Sequence, residues 1–344
     1  MSNNKSEHDA LKAQILEYSR QKNIRPLTPW LDKELDKQIE KGRYPSVETI
    51  KKIGDYLVAQ LATYRKEHKI NKAVLGMSGG LDSALTAALC KKAGWEVLGV
   101  TLPIHQNPEE TERGIEAIRA LDLDEYHVDL TKAYDAMLPM IGDDALVSED
   151  THEARIRRGN LRARIRMITL YNLASKNKGL VLSTDNISER FNSFQSIAGD
   201  IGDCSPIQAL TKSWEVPMLA KLVGVPEKTV RATPTDGLGI DAGDEAQFGY
   251  SYLESDLIMF AIMDATMEVG HDIDTVVAHM DMDEATRPIF EKVYTRAKNG
   301  AFKRHWPVML DHPFEDRYAL LDETDRSIAP HVVRDREKES KFSP

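Results

Sequence analysis

Cysteine is nearly absent from this 344-residue sequence, occurring only at Cys90 and Cys204. Two thiols are too few for a disulfide framework or a cysteine-rich zinc site. Long apolar runs are missing as well: none approaches the roughly 20 residues that cross a bilayer. The opening stretch, MSNNKSEHDA, has no apolar signal-peptide core. Positive charge is in deficit, with 45 Lys and Arg against 55 Asp and Glu and a formal net charge of -10. That balance argues against general nucleic-acid binding. The expectation from these absences is a cytoplasmic, reducing environment with no membrane and no nucleic-acid partner. What is present, 41% apolar and 29% charged residues, is the composition of a globular chain long enough to bury a substantial core.

Residues 1–45 read as a polar arm carrying a short amphipathic helix near Leu11–Ser19 and prolines at Pro26, Pro29 and Pro45. From Ser46, a plausible N-cap, Val47, Ile50, Ile53, Leu57 and Leu61 recur at helical spacing. The rhythm then changes. KAVLGM (72–77), WEVLGVTLP (95–103), EYHVDL (125–130) and GLVLST (179–184) are short apolar-rich runs of the kind that form buried strands. Helical segments lie between them at Leu81–Ala93, Pro108–Leu121 and Thr151–Asn177. Strands alternating with helices predict an α/β fold, a doubly wound parallel sheet with helices on both faces. The long helix has two apolar stripes, Leu161, Ile165, Ile168 and Met167, Leu170, Tyr171, Ala174, which suit either a core helix or a subunit interface. Further helices are expected over Ser213–Val223 and from about Tyr250 to Met267, separated by a glycine-rich acidic stretch, TPTDGLGIDAGDEAQFG, suited to a loop that orders around a ligand. The predicted organisation is an arm over 1–45, a main domain over 46–310 and a tail over 311–344.

In such sheets ligands sit beyond the carboxyl ends of the strands. One end carries Gly76-Met77-Ser78-Gly79-Gly80-Leu81-Asp82-Ser83. Glycines before a helix turn backbone N–H groups toward an anion, and the helix dipole adds positive potential. Ser78 and Ser83 add hydroxyl donors. A carboxylate beside phosphates is repulsive unless a cation lies between, so Asp82 points to Mg²⁺. No Gly-Lys-Ser/Thr follows, and there is no G-x-G-x-x-G, so the loop belongs neither to the Walker A nor to the dinucleotide type.

The strand-SGGLDS-helix run resembles the pyrophosphate loop of the N-type ATP pyrophosphatases, and the rest of the chain resembles the NAD synthetase family within them. GNLRARIRM (159–167), STDNISE (183–189), GDIGDCSPIQALTK (199–212), TPTDGL with DEAQFGYSY, and FKR (302–304) match that family's motifs in order. The resemblance implies an adenine nucleotide alpha hydrolase-like fold, ATP as co-substrate, and a homodimer. It also implies ammonia-dependent amidation of deamido-NAD to NAD through an acyl-adenylate, with AMP and pyrophosphate released. By the same resemblance Asp82 and Glu189 hold Mg²⁺, while Thr184, Thr235 and Lys212 join residues 76–83 around ATP. Arg164, Asp203 and Lys303 meet deamido-NAD; Lys212 offsets phosphate charge, and Asp203 takes a proton from the incoming ammonia. The arginines 155, 158, 162 and 166 share one helix face, which reads either as a solvated basic face or as a polyanion contact.

The sequence departs from the family pattern on the acceptor side. Asn186 stands for a histidine, Ile197 for a lysine, and Phe302 for the histidine before Lys303. ATP activation is therefore the firmer expectation, and nicotinate mononucleotide is the alternative acceptor. A nucleotide-binding module without catalysis is the reading from another class, although it has no use for Asp82, Glu189 and Lys212 together. Glutamine-dependent family members carry an N-terminal glutaminase with a nucleophilic cysteine. The residues ahead of the first strand here contain no cysteine, so ammonia is expected free or from another protein.

Overall fold

The computed structural model describes residues 2–20, 25–142, 146, 148–233 and 243–305. Contacts divide the chain into Met1–Arg304 and His305–Pro344. Every element below lies in the first unit. Residues 1–45 fall within that unit, and the expected tail over 311–344 lies outside the described residues.

Four parallel strands, β1 (Lys72–Gly76), β2 (Glu96–Thr101), β3 (Asp124–His127) and β4 (Leu180–Val181), lie in the order β3-β2-β1-β4. The chain runs outward through β1, β2 and β3, then returns to place β4 on the other side of β1. The point where strand order reverses is thus between β1 and β4, where a crevice opens at the carboxyl ends. Alternation along β1 serves two cores. Ala73 and Leu75 join the core built with the helices Val47–His68, Leu81–Lys92 and Glu215–Val223. Val74 joins Val100 and Val181 against Met167, Leu170 and Leu173 of the long helix His152–Asn177. This is the expected doubly wound sheet with helices on both faces. EYHVDL was expected to be buried, but all of β3 is solvent-exposed because it forms the sheet edge.

The long helix has three faces rather than two. Met167 and Leu170 cover the sheet, Leu161 and Ile165 pack with Ile104 and Tyr134, while Ile168 is 65% and Tyr171 40% exposed.

The largest departure from expectation is at the amino end. Instead of one short helix and an irregular arm, the chain forms two helices, α1 (Ser2–Arg20) and α2 (Pro29–Glu40). Thr28 caps α2 by accepting the Leu31 N–H, and proline sits in its first turn. Ile15, Leu31 and Leu35 have no exposed surface and extend the main core. Two of the four buried positions of α2 are polar, Glu34 and Gln38, so an apolar stripe is hard to read. Gln38 donates to Glu34 within the helix and also reaches a distant partner, Asp264 in the helix Tyr252–Val269. Gln38 Nε2 donates to Asp264 at 2.9 Å, while Lys41 and Arg43 pair with it at 2.8 and 2.7 Å.

Burial opposes ionisation of Asp264, yet Lys41, Gln38 and Arg43 outweigh it and bring the carboxyl down from its ordinary 3.8 to about 2. A depressed carboxyl pKa adds stability that is present above 3.8 and lost as pH falls toward 2. Asp264→Asn should therefore destabilise the protein by about 1–2 kcal/mol at neutral pH. In urea titrations the gap from wild type should close as pH drops from about 4 to about 2.

Candidate active site

The β1/β4 crevice holds a cavity of about 460 Å³, within the usual range for small-molecule sites. Three chain segments build it. The first is the turn from β1 into the helix Leu81–Lys92. Gly79 has φ +82°, and a Cβ there would lie 2.0 Å from the Glu110 carbonyl oxygen. Only glycine fits both the backbone angle and that approach. Ser78 Oγ accepts the Gly80 N–H at 3.2 Å, and Ser83 Oγ donates to the Gly80 carbonyl at 3.0 Å.

The second segment follows β4. Thr184 and Asp185 line the cavity, and Asn186 caps the short helix Ile187–Phe191 in a capping box with Glu189. This reciprocal bond fixes Glu189 at the helix start. Asn186 Nδ2 also donates to Asp82 Oδ1 at 3.0 Å. The residue in place of the family's histidine thus orients the aspartate of the first segment.

The third segment brings in Lys212 on a turn before the helix Glu215–Val223, where its N–H donates to Ser188 Oγ at 2.9 Å. The Lys212 ammonium lies between Asp82, with which it makes a close hydrogen bond, and Glu189 at 3.2 Å. Its Nζ is 5.8 Å from the centre of the Tyr252 ring, whose hydroxyl donates to Asp244 at 2.9 Å. Lys212 is only 8% exposed. Burial favours its neutral form, but Asp82, Glu189 and Asp244 overcome that and hold it charged. Burial pushes the Glu189 carboxyl up; Lys212 opposes the shift while Asp82 and Asp244 add to it.

The expected nucleotide set largely converges. Gly76, Met77, Ser78, Gly80, Leu81, Asp82, Ser83, Thr184, Glu189 and Lys212 all line the cavity. Gly79 shapes the turn from behind, and Thr235 lies outside the described residues. The acceptor set divides. Lys303 lines the cavity and donates to the Ser193 and Gln195 carbonyls at 3.0 and 2.7 Å.

Arg164 and Asp203 lie apart from this cavity. Neither is among the lining residues. Arg164 donates to the Ile197 carbonyl at 3.1 Å on the surface. Asp203 is exposed, and its carboxylate accepts the Val181 N–H at 2.8 Å and the Tyr171 hydroxyl at 3.0 Å. In their places the cavity has Arg166 and Asp200. Arg166 Nε donates to the Leu102 carbonyl at 3.0 Å. Asp200 Oδ2 accepts the Ser196 N–H at 2.5 Å, and burial raises its pKa against that bond and the Arg166 charge. Arg155 and Arg158 pair with Asp150.

Sequence reasoning passed over Asp244 as well, which is 4% exposed and lines the cavity. Asp200 was legible as the first acid of GDIGD, three residues before the one chosen, and Asp244 as the first acid of DEAQFG.

Comparison with known proteins agrees with this geometry. The family model described as NAD synthase matches residues 53–307. An NH(3)-dependent NAD(+) synthetase of Finegoldia magna is 37% identical over 186 residues, 54% of this chain and 73% of that protein. One from Mycoplasmopsis pulmonis is 33% identical over 219 residues, 63% of this chain and 81% of its own. Among solved structures, an NMN synthetase from Francisella tularensis gives a TM-score of 0.61 at 25% identity, covering 77% of this chain and 99% of that one. An NH3-dependent NAD synthetase from Campylobacter jejuni gives 0.58 at 26%, covering 76% and 99%.

Removing the central cation tests the electrostatics. Lys212→Met leaves two carboxylates facing each other in a nearly dry crevice, which should destabilise the fold by about 3 kcal/mol in urea titrations. Added Mg²⁺ should raise the melting temperature of the variant by more than that of wild type, since the ion then replaces the missing ammonium.

Proposed function

The chain belongs to the NAD synthase family, and on that premise we propose that it amidates deamido-NAD with ammonia. ATP is consumed, and NAD, AMP and pyrophosphate are released through an acyl-adenylate. The observation that carries this reading is the convergence of the SGGLDS turn, Asp82, Glu189 and Lys212 in one crevice.

A nicotinate carboxylate is negatively charged and has no good leaving group, so it needs activation. Its oxygen attacks the α-phosphorus of ATP, and pyrophosphate leaves. Positioning and charge neutralisation dominate this step. The start of the helix Leu81–Lys92 offers positive potential to the phosphates, and the Lys212 ammonium offsets charge gathering on the leaving group. Asp82 and Glu189 fit Mg²⁺: both are hard oxygen donors, and both already converge on one cation, the Lys212 ammonium. When bound, Mg²⁺ supplies further neutralisation of phosphate charge. Ammonia then attacks the acyl carbon and AMP departs with one carboxylate oxygen. Asp200 takes the role expected of Asp203, accepting the proton that the attacking nitrogen sheds.

The exposed Ile168 and Tyr171 of the long helix support a homodimer formed across that helix. Among the described residues no helix is long and apolar enough to cross a membrane, which fits a cytoplasmic enzyme. One observation favours a second acceptor, nicotinate mononucleotide. Two of the three residues matched to dinucleotide contacts, Arg164 and Asp203, do not line the cavity, and the Francisella tularensis structure is of an NMN synthetase.

Assays with ATP, Mg²⁺ and ammonium decide between the acids. Equimolar NAD, AMP and pyrophosphate from deamido-NAD, at higher kcat/KM than for nicotinate mononucleotide, is expected. The reverse preference supports the second reading, and no pyrophosphate with either acid refutes both. Asp200→Asn should slow amide formation about 100-fold while leaving adenylate formation within severalfold of wild type. Asp203→Asn should leave both half-reactions nearly unchanged in rapid-quench measurements.

A further inference from the structure

The family match begins at residue 53, so α1, α2 and the linker to Pro45 lie ahead of it. This extension nonetheless reaches the back of the Lys212 turn at two places.

The first is direct. The Tyr44 hydroxyl lies 3.4 Å from Ser213 Oγ, and the Pro45 carbonyl accepts the Trp214 indole N–H at 2.8 Å. Ser213 and Trp214 are the two residues after Lys212. Tyr44 and Trp214 are each 1% exposed and Ser213 is 5%, so no solvent competes for these bonds. Tyr44 is held in place by an edge-on contact with Phe260, ring centres 6.1 Å apart. Behind the same turn lies Asp256, with no exposed surface. It accepts the Ser213 N–H at 3.3 Å and bonds from the Ser213 and Ser188 hydroxyls, the latter being the same hydroxyl oxygen that accepts the Lys212 N–H. The peptide carrying Lys212 is therefore clamped between the main body and the extension.

The second grip is on the other side of the ammonium. Arg25 Nε pairs with Glu254 at 2.9 Å, and its guanidinium also donates to the Gly249 carbonyl at 3.3 Å. Glu254 completes the capping box with Ser251 that starts the helix Tyr252–Val269. Tyr252 stands at that start with its ring toward Lys212 Nζ. The extension thus holds both the backbone that presents Lys212 and the segment whose ring packs against its ammonium.

We propose that this extension is a working part of the nucleotide site, and that Tyr44, acting through Ser213, is a positioning residue for the Lys212 ammonium. The proposal rests on the reading above that Lys212 meets the phosphates of ATP. A hydroxyl that only filled space would leave substrate parameters alone when removed. One that sets the Lys212 turn acts on ATP and spares the acceptor.

The test compares Tyr44→Phe, Ser213→Ala and the double variant in the full-length protein. Steady-state kinetics with ATP and deamido-NAD, calorimetric ATP affinity and melting temperature are measured for each. The expected result is a drop of about fivefold in kcat/KM for ATP and in ATP affinity for Tyr44→Phe, the scale of one lost hydrogen bond, and at least that for Ser213→Ala, which also removes the Ser213 hydroxyl's bond to Asp256. The double variant should lose no more than Ser213→Ala alone, because that variant already removes the Tyr44 link. KM for deamido-NAD should stay within about twofold and melting temperature within a few degrees.

ATP parameters equal to wild type in the single variants would overturn the proposal. So would losses that multiply in the double variant, or equal losses for both substrates that track a falling melting temperature. Should Tyr44→Phe not fold, Tyr44→Met decides by the same ATP-specific readout. Wild-type protein that turns over neither acid refutes the proposed function, and calorimetric ATP affinity still judges the positioning role.

Discussion

The structure depends most on one buried electrostatic arrangement, the Lys212 ammonium set between the carboxylates of Asp82 and Glu189. Charges this far from water are tolerated only when paired and hydrogen-bonded, and removing one partner costs far more than a surface ion pair is worth. The three residues come from the turn after β1, the turn after β4 and the turn before Glu215–Val223. Bringing them together requires β4 to return beside β1, which is what the strand order provides. Topology and site are thus one constraint seen at two scales.

Around that triad the supporting bonds are short-range and specific. Asn186 ties the start of the Ile187–Phe191 helix to Asp82: its side-chain amide donates to the Asp82 carboxylate and its backbone N–H to the Glu189 carboxylate. Ser188 links the Lys212 peptide to Asp256 beneath it. Gly79 lets the turn pack against the Glu110 carbonyl, which sets where the N–H groups of the following helix point. Rigid support of this kind lets a site neutralise phosphate charge without reorganising during the reaction. The acceptor side is built differently, from the Ser193–Asp200 stretch with Lys303 clasping two of its carbonyls.

How much was readable from sequence follows from what each element depends on. β1, the SGGLDS turn and the helix after it are local: apolar run, glycines and cap residues all agree, and the structure follows them closely. Glu189 and Lys212 were readable as candidates because motif spacing resembles a family, but only the fold shows that they meet. The helix α2 was missed because two of its buried positions are polar: Gln38 donates both to Glu34 beside it and to Asp264, more than 200 residues away in the chain. That Asp200 rather than Asp203 lines the cavity was hidden for the same reason. Both acids sit in one motif, and what separates them is that Val181 and Tyr171 occupy the Asp203 carboxylate while Asp200 faces the cavity.

The central claim is that ATP transfers its adenylyl group to a carboxylate oxygen. Deamido-NAD labelled with ¹⁸O in both carboxylate oxygens tests it most directly, with mass spectrometry of the products. The account predicts one ¹⁸O in AMP, one in the amide of NAD and none in pyrophosphate. Unlabelled AMP, or label in inorganic phosphate with ADP as co-product, would contradict it.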